Sequence, residues 1–344
     1  EYDESTLKTL VANLECMKEE NQVAAVNAHP EYQNDKFVII PETEGTQIDA
    51  EKFRNLVIES VNGLSDELNL SEAGCYQEPQ YTSESDKVKE ACDTMNKYLG
   101  VTVTYDFSTT TEVVNATQLS QWVKVDDDMN VVFDETAVKA YIQSLADKYD
   151  TKGKQRTFTS ASGNTVTVSG GSYGWKIDQS AEYNALIANI QSGESVTREP
   201  NYSSRAASHE GNDVGNTYAE VNLSTQHMYF VKDGQIALET DVVTGNPNKG
   251  NSTPAGVYSL AYKAKDQVLR GTKKADGTYE YETPVSYWMP FNGGIGFHDA
   301  SWQPTFGGSR YLTNGSHGCV NMPPAMAAQL FNLISAGTPV VVHN

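Results

Sequence analysis

Positive charge is in short supply in this sequence: 25 Lys and Arg stand against 45 Asp and Glu, a formal net charge of −20 over 344 residues. Phosphate recognition needs clustered Lys and Arg, so the balance argues against nucleic acid as a partner. Long apolar runs are also missing. None approaches the ~20 residues that cross a bilayer, and no signal peptide opens the chain. Glu1-Tyr2-Asp3-Glu4 reads as the interior of a longer protein. A membrane connection is therefore expected only through an N-terminal anchor outside this sequence. Cysteine is scarce: Cys16, Cys75, Cys92 and Cys319 include no C-x-x-C pair, which argues against a zinc ribbon or a thioredoxin-like motif. Cys75 and Cys92 either close a loop worth ~3 kcal/mol or stay reduced and buried. Asp126-Asp127-Asp128 lacks the alternating ligands and glycine of an EF-hand loop, so it reads as a solvated turn.

What is present supports packed cores. Apolar residues make up 38%, with 19 Tyr and 4 Trp, and the length suits two or three domains. Helical spacing of Leu7, Leu10, Val11, Leu14 and Met17 predicts a helix over 5–28, capped by Ser5. Further helices are expected after Asp49, over 85–99 and from Asp134. Strands are expected at 36–41 and 101–107, and a hairpin around Ser162-Gly163-Asn164. Gly45-Thr46-Gln47-Ile48-Asp49, a helix, then Pro79-Gln80-Tyr81 is echoed by Gly174-Trp175-Lys176-Ile177-Asp178, a helix, then Pro200-Asn201-Tyr202. That echo suggests duplicated α+β units. The polar, small-residue stretch 203–216 reads as an exposed boundary.

Beyond it the pattern turns to β. Alternation over 218–223, 228–231 and 236–243 predicts an antiparallel assembly, followed by one late helix from Pro324 to Gly337 and a closing strand at Val340-Val341-Val342. The fold class expected is multidomain: α+β domains over 1–100 and 101–210, then a mainly-β domain over 216–344.

The chemistry concentrates in Ser316-His317-Gly318-Cys319-Val320-Asn321, with a second imidazole upstream in Gly296-Phe297-His298-Asp299. A thiol attacks well only once deprotonated, and a nearby imidazole is the usual means. An inert buried thiol would not be given a glycine, a histidine and polar neighbours, so Cys319 is read as a nucleophile. His298, remote in sequence as bases of thiol enzymes commonly are, is preferred as the base. His317 is the second imidazole, and Ser316 is counted with the site. Asp299 or a backbone carbonyl would orient the ring. The amides of Gly318 and Cys319 are candidates for an oxyanion hole, and the helix starting one turn on would favour a thiolate. Asn321 either orients a substrate amide or caps that helix. His29, His209, His227 and His343 lack comparable company and read as surface or structural.

This stretch resembles the signature of the L,D-transpeptidases of the YkuD family, an upstream His followed by Ser/Thr-His-Gly-Cys-x-Asn. His298 stands eighteen residues before Ser316. The similarity extends through Val243-Thr244-Gly245, Thr253-Pro254-Ala255-Gly256-Val257-Tyr258 and Ile295-Gly296-Phe297-His298, covering about 218 to the end. The N-terminal part resembles, less sharply, the peptidoglycan-binding domains that precede such catalytic domains in Gram-positive bacteria. It does so at Phe158-Thr159-Ser160-Ala161-Ser162-Gly163 and Gly170-Gly171-Ser172-Tyr173-Gly174-Trp175.

The resemblance implies that Cys319 attacks the third residue of a peptidoglycan tetrapeptide stem, a diamino acid, and releases D-Ala. An amine of a neighbouring stem then resolves the thioester. It implies no metal or organic cofactor, carbapenems as acylating inhibitors, and an extracellular home at the wall. The segment 263–292, with Trp288 among its aromatics, would be the active-site lid. Trp302 and Arg310 would line the donor site or serve as ordinary surface residues. L,D-carboxypeptidase activity and a non-catalytic wall-binding role are the alternatives.

Overall fold

The structure, a computed structural model, describes residues 3–344; Glu1 and Tyr2, part of the stretch read as chain interior, lie outside them. The described residues divide into two compact units, one reaching to residue 104 with 112–140 and 185–198, the other of 105–111, 141–184 and 199–344. Both draw on residues 101–210, so the stretch expected as one second domain is shared between them.

In the first unit the opening helix, Glu4–Ala12, is far shorter than its periodicity predicts. After Asn13 the chain breaks into two short 3-10 turns, and this brings Cys16 and Met17 beside Leu7 over a core of Val11, Ile48, Phe53 and Cys75. Leu10 and Leu14 stay exposed. Packing has overridden local propensity. Asp49 caps the helix Ala50–Asn62 by accepting from the amides of Glu51 and Lys52, a bond worth ~1 kcal/mol. A separate core of Phe37, Cys92, Met95 and Val123 joins the hairpin of His29–Gln33 and Lys36–Ile40 to the helix Asp86–Leu99. Cys75 and Cys92 thus sit in different cores, and all four cysteines are free thiols. No bridge closes that loop.

The two Ile-Asp blocks share one geometry, with a shifted partner. Ile48 bridges Tyr76 while the Asp49 amide donates to the Cys75 carbonyl. Ile177 pairs with Tyr202 while the Asp178 amide donates to the Asn201 carbonyl. The counterpart of Asn201-Tyr202 is therefore Cys75-Tyr76, and not the Gln80-Tyr81 that the shared Pro-x-Tyr spelling suggests.

The second unit holds two packed sheets. Its strands are β1 (Tyr218–Asn222), β2 (His227–Lys232), β3 (Gln235–Asp241), β4 (Gly256–Ser259), β5 (Ala264–Arg270), β6 (Glu282–Asn292) and β7 (Ile295–Asp299). Helix α1 (Arg310–Asn314), β8 (Val320–Met322), α2 (Pro324–Leu333) and β9 (Pro339–His343) complete it. One sheet has the order β3-β2-β1-β9-β4, the other β5-β6-β7-β8. The sheets are mixed rather than antiparallel as expected: β1–β9 and β7–β8 are parallel pairs. Alternate residues of both sheets meet in the core, among them Ala219 and Val221, Met289 and Phe291, Val320 and Met322, Val340 and Val342, with Ala327 and Leu330 of α2. Each large side chain so buried contributes ~1.5–3 kcal/mol. Helix α2 stops at Leu333, short of the expected Gly337, because Ile334 turns extended and is fully buried.

On the outer face of the first sheet, Tyr218, Val231, Val257 and Val341 pack against Phe158 and Val168 of the hairpin Arg156–Thr159 and Thr165–Val168. Residues 203–216 are not a loose boundary. Val214 is fully buried, and the Asp213 carboxylate takes Arg156 Nε and Nη2 at 2.7 and 2.9 Å.

Candidate active site

Strands β7 and β8 run side by side, with Phe297 beside Val320 and His298 beside Asn321. Side chains alternate across a strand. Phe297, Val320 and Met322 enter the core, so His298 and Asn321 face the other way. Parallel neighbours need a crossover connection, here residues 300–319, and that is why a histidine so far upstream in sequence shares a cavity with the thiol.

The loop 316–319 hangs from residues 243–246. Val243 and Asn321 exchange both backbone hydrogen bonds, at 3.0 and 2.9 Å; the Ser316 amide donates to the Thr244 carbonyl and the Asn246 amide to the Ser316 carbonyl, each at 3.0 Å. A Cβ on Gly245 would lie 1.8 Å from the Asn251 oxygen and 2.9 Å from Gly318 Cα, so only glycine fits this brace. Within the loop the Gly318 amide donates to Ser316 Oγ at 3.0 Å, and Ser316 Oγ donates to the Cys319 carbonyl at 2.5 Å. Gly318 has φ +123°, open chiefly to glycine. Its amide, expected as an oxyanion donor, is therefore occupied by Ser316, whose hydroxyl closes the turn. From the other side Thr253 Oγ1 donates to the Gly318 carbonyl at 2.7 Å and accepts from the Gly245 amide at 3.0 Å.

Cys319 is half-buried, with Sγ 3.5 Å from the Gly294 carbonyl. Burial pushes its thiol up to about 11, against the opposing pull of the Gly296 amide on the sulfur. The expected helix dipole does not reach it. Helix α2 begins at Pro324 with β8 in between, and the effect fades within the first turn. His298 is only 4% exposed, and its Nδ1 bonds the Asp299 carbonyl at 2.9 Å. A carbonyl only accepts, so Nδ1 carries the proton and Nε2 is the basic nitrogen. Burial pulls the His298 pKa below its ordinary value, the Asp299 carbonyl and charge opposing. The Asp299 carboxylate is elsewhere, accepting from the Tyr287 amide at 2.8 Å. Near pH 7 the thiol and the imidazole are both neutral.

Cys319, His298, His317, Asn321 and Trp302 line one cavity of about 220 Å³. Asn321 is 2% exposed with Oδ1 unpartnered among the described residues. It does not cap α2, whose N-terminal flank is Pro323 with no side-chain bond. His317 is exposed and stacks on Tyr281, ring centres 4.6 Å apart. Tyr281 lies just past the tip of the β5–β6 hairpin, the segment expected as a lid. Trp302 is 46% exposed, its ring 5.8 Å from that of His298.

Three expected residues lie outside the lining: Gly318, whose amide is committed to the turn, Trp288 and Arg310. Trp288 sits opposite His298 on β6, buried, its ring 6.1 Å away, so it packs beside the histidine without facing the cavity. Arg310 Nε donates to Gln303 Oε1 at 3.2 Å and reaches the cavity only through that side chain. Sequence reasoning missed Gln303, which lines the cavity, and Thr253, which braces the loop. Both act through contacts distant in sequence, although the Thr253-Pro254 turn was visible. Among the described residues no group of three or more His, Cys, Asp or Glu could hold a metal ion.

Residues 216–342 match the L,D-transpeptidase catalytic domain model of the YkuD family. Residues 1–69 and 81–198 match a model described as "Putative peptidoglycan binding domain". A crystallised cysteine-to-serine mutant of the Enterococcus faecium L,D-transpeptidase is similar, with 38% identity over 74% of this chain and 100% of that one, at a TM-score of 0.62. A carbamoyl enzyme formed by an L,D-transpeptidase with avibactam is similar at 38% identity over 74% of this chain and 98% of that one, also with a TM-score of 0.62. L,D-transpeptidase 1 of Mycobacterium tuberculosis is 26% identical over 143 residues, 39% of this chain; the chain spans about half (53%) of that relative. With its cysteine, histidine and two-sheet frame in this arrangement, the chain belongs to the L,D-transpeptidase family and carries a YkuD catalytic domain behind a region of peptidoglycan-binding type.

Proposed function

We propose that this chain is an L,D-transpeptidase that cross-links peptidoglycan stems through a thioester on Cys319. The observation that carries the reading is one cavity shared by the Cys319 thiol and an imidazole whose Nδ1 is pinned to a backbone carbonyl. His298 Nε2 takes the thiol proton as Sγ attacks the carbonyl of the third residue, a diamino acid, in a tetrapeptide stem. The bond to D-Ala breaks, and the imidazolium returns its proton to the departing amine. A side-chain amine of a second stem then attacks the thioester, His298 accepts its proton, and Cys319 is released. Asn321 Oδ1 accepts an N–H of the donor stem, and Trp302 lies along it. His317 bounds the cavity from its position on Tyr281.

The same reading makes carbapenems covalent inhibitors at Cys319, supported by the avibactam carbamoyl enzyme of the similar L,D-transpeptidase. Within residues 1–210, a glycan-holding role is supported by the match of 1–69 and 81–198 to the peptidoglycan-binding model. The site of action is then the wall outside the membrane, in a Gram-positive bacterium, in keeping with the similarity to the Enterococcus faecium enzyme. Incubation with purified disaccharide-tetrapeptide, with products followed by mass, tests the assignment. Dimers formed with loss of D-Ala are expected. Tripeptide alone makes the chain a carboxypeptidase, and unchanged substrate leaves it a wall-binding protein.

A further inference from the structure

Four backbone polar groups surround the nucleophile: the N–H and C=O of Gly318 and those of Cys319. Ser316 Oγ takes the first and the last, at 3.0 and 2.5 Å. Thr253 Oγ1 takes the Gly318 carbonyl at 2.7 Å, and Thr253 is 3% exposed. Among the described residues the Cys319 N–H alone is left without a partner. Its direction is not free, however. Among the described residues no peptide bond is cis, and in a trans peptide plane the carbonyl and the following N–H point opposite ways. Because Thr253 holds the Gly318 carbonyl on one side, the Cys319 N–H is turned to the other. Thr253 does not line the cavity that Cys319 lines.

The hydroxyl that does this is itself fixed. The Gly245 amide can only donate, so its 3.0 Å bond to Thr253 Oγ1 commits the hydroxyl proton to the Gly318 carbonyl. Gly245 is in turn clamped by its neighbours, with no room for a Cβ. A rigid line of contacts therefore runs from Gly245 through Thr253 to the 318–319 peptide.

We propose that Thr253 is a positioning residue for acyl transfer: it aims the Cys319 amide at the oxyanion that forms when Sγ attacks a carbonyl. The role rests on the acyl-transfer reading given above. It makes Cys319 both nucleophile and oxyanion donor and explains how Gly318 can be committed to Ser316 without loss. Removing the hydroxyl leaves the thiol in place but lets the peptide plane rock. The tetrahedral intermediate, which needs a donor at a set position, then loses stabilisation.

Two reactions of the same sulfur separate this from general damage. Acylation by a carbapenem passes through an oxyanion, whereas alkylation by iodoacetamide displaces iodide at carbon and forms none. For Thr253→Val the acylation rate is expected to fall roughly 10- to 100-fold while the alkylation rate stays within about twofold of the parent. Thr253→Ser, which keeps the hydroxyl, restores acylation. If Thr253→Val does not fold, Thr253→Ala removes the same hydroxyl without adding a methyl and serves the same comparison. Equal loss in both reactions, or no loss in either, overturns the role of Thr253. A parent protein that alkylates but is never acylated overturns instead the acyl-transfer reading on which it rests.

Discussion

Cys319 is not held as a thiolate. Burial keeps its thiol near 11 and keeps His298 below an ordinary imidazole, so both are neutral at rest, and in the proposed mechanism the proton moves only as the sulfur attacks. The pH dependence follows. A lowered imidazole pKa means that the basic form persists to more acid pH. The rate of carbapenem acylation should therefore rise from low pH with its midpoint below ~6.5 and stay level through neutrality. A midpoint above that value contradicts the assignment. Replacing His298 by Ala should slow acylation ~10²- to 10⁴-fold, whereas His317→Ala, which removes a stacking partner of Tyr281, should cost less than about tenfold. The reverse order would move the base to His317. Much of this was legible locally, because the hexapeptide puts thiol, glycine and carboxamide side by side. What was not legible is which groups are already spent: the Gly318 amide on Ser316, and Arg310 on Gln303.

Between elements, the parallel β7–β8 pair is what turns sequence distance into proximity, and the two sheets hold that pair still. A buried polar contact reinforces the frame: His343 Nε2 on β9 meets Glu220 Oε1 on β1 at 3.0 Å, both fully buried, while Glu220 Oε2 accepts from the Ala161 amide at 2.8 Å. Desolvation lowers the His343 pKa, but Glu220 and the Asn344 carbonyl raise it further, and the net shift is upward. A histidine raised in the folded state stabilises fully below its unfolded value, ~6.5, and less as pH rises through the folded one. Between pH ~5 and ~9, His343→Gln should thus cost most on the acid side, ~1–3 kcal/mol, with the gap in Tm narrowing toward alkaline pH. Thermal unfolding followed by circular dichroism checks this, and a gap that widens with pH contradicts it. From sequence His343 reads as surface or structural. Nothing near it in the chain announces Glu220, which lies 123 residues away. The same blindness to distant partners stretched the first helix to residue 28 and made every strand pair antiparallel, since periodicity reports which face is buried and not against what.

At the scale of the molecule, the charge of −20 bears on how the chain would meet the wall under the proposed function. That charge disfavours attraction to anionic polymers, so under the proposed function binding to glycan rests on hydrogen bonds and apolar contacts, which salt screens little. The full chain with Cys319→Ala should co-sediment with sacculi, and the bound fraction should not fall between about 0.05 and 0.5 M salt. Loss of binding at high salt would contradict a non-ionic contact.

The central claim is a thioester on one residue, and acid-quenched intact mass after mixing with tetrapeptide donor alone reads it directly. The account predicts added mass equal to the donor less D-Ala, mapped to the peptide containing Cys319, absent in Cys319→Ala and discharged when an amine acceptor is added. Turnover with no such adduct, or an adduct that survives the loss of Cys319, would contradict it.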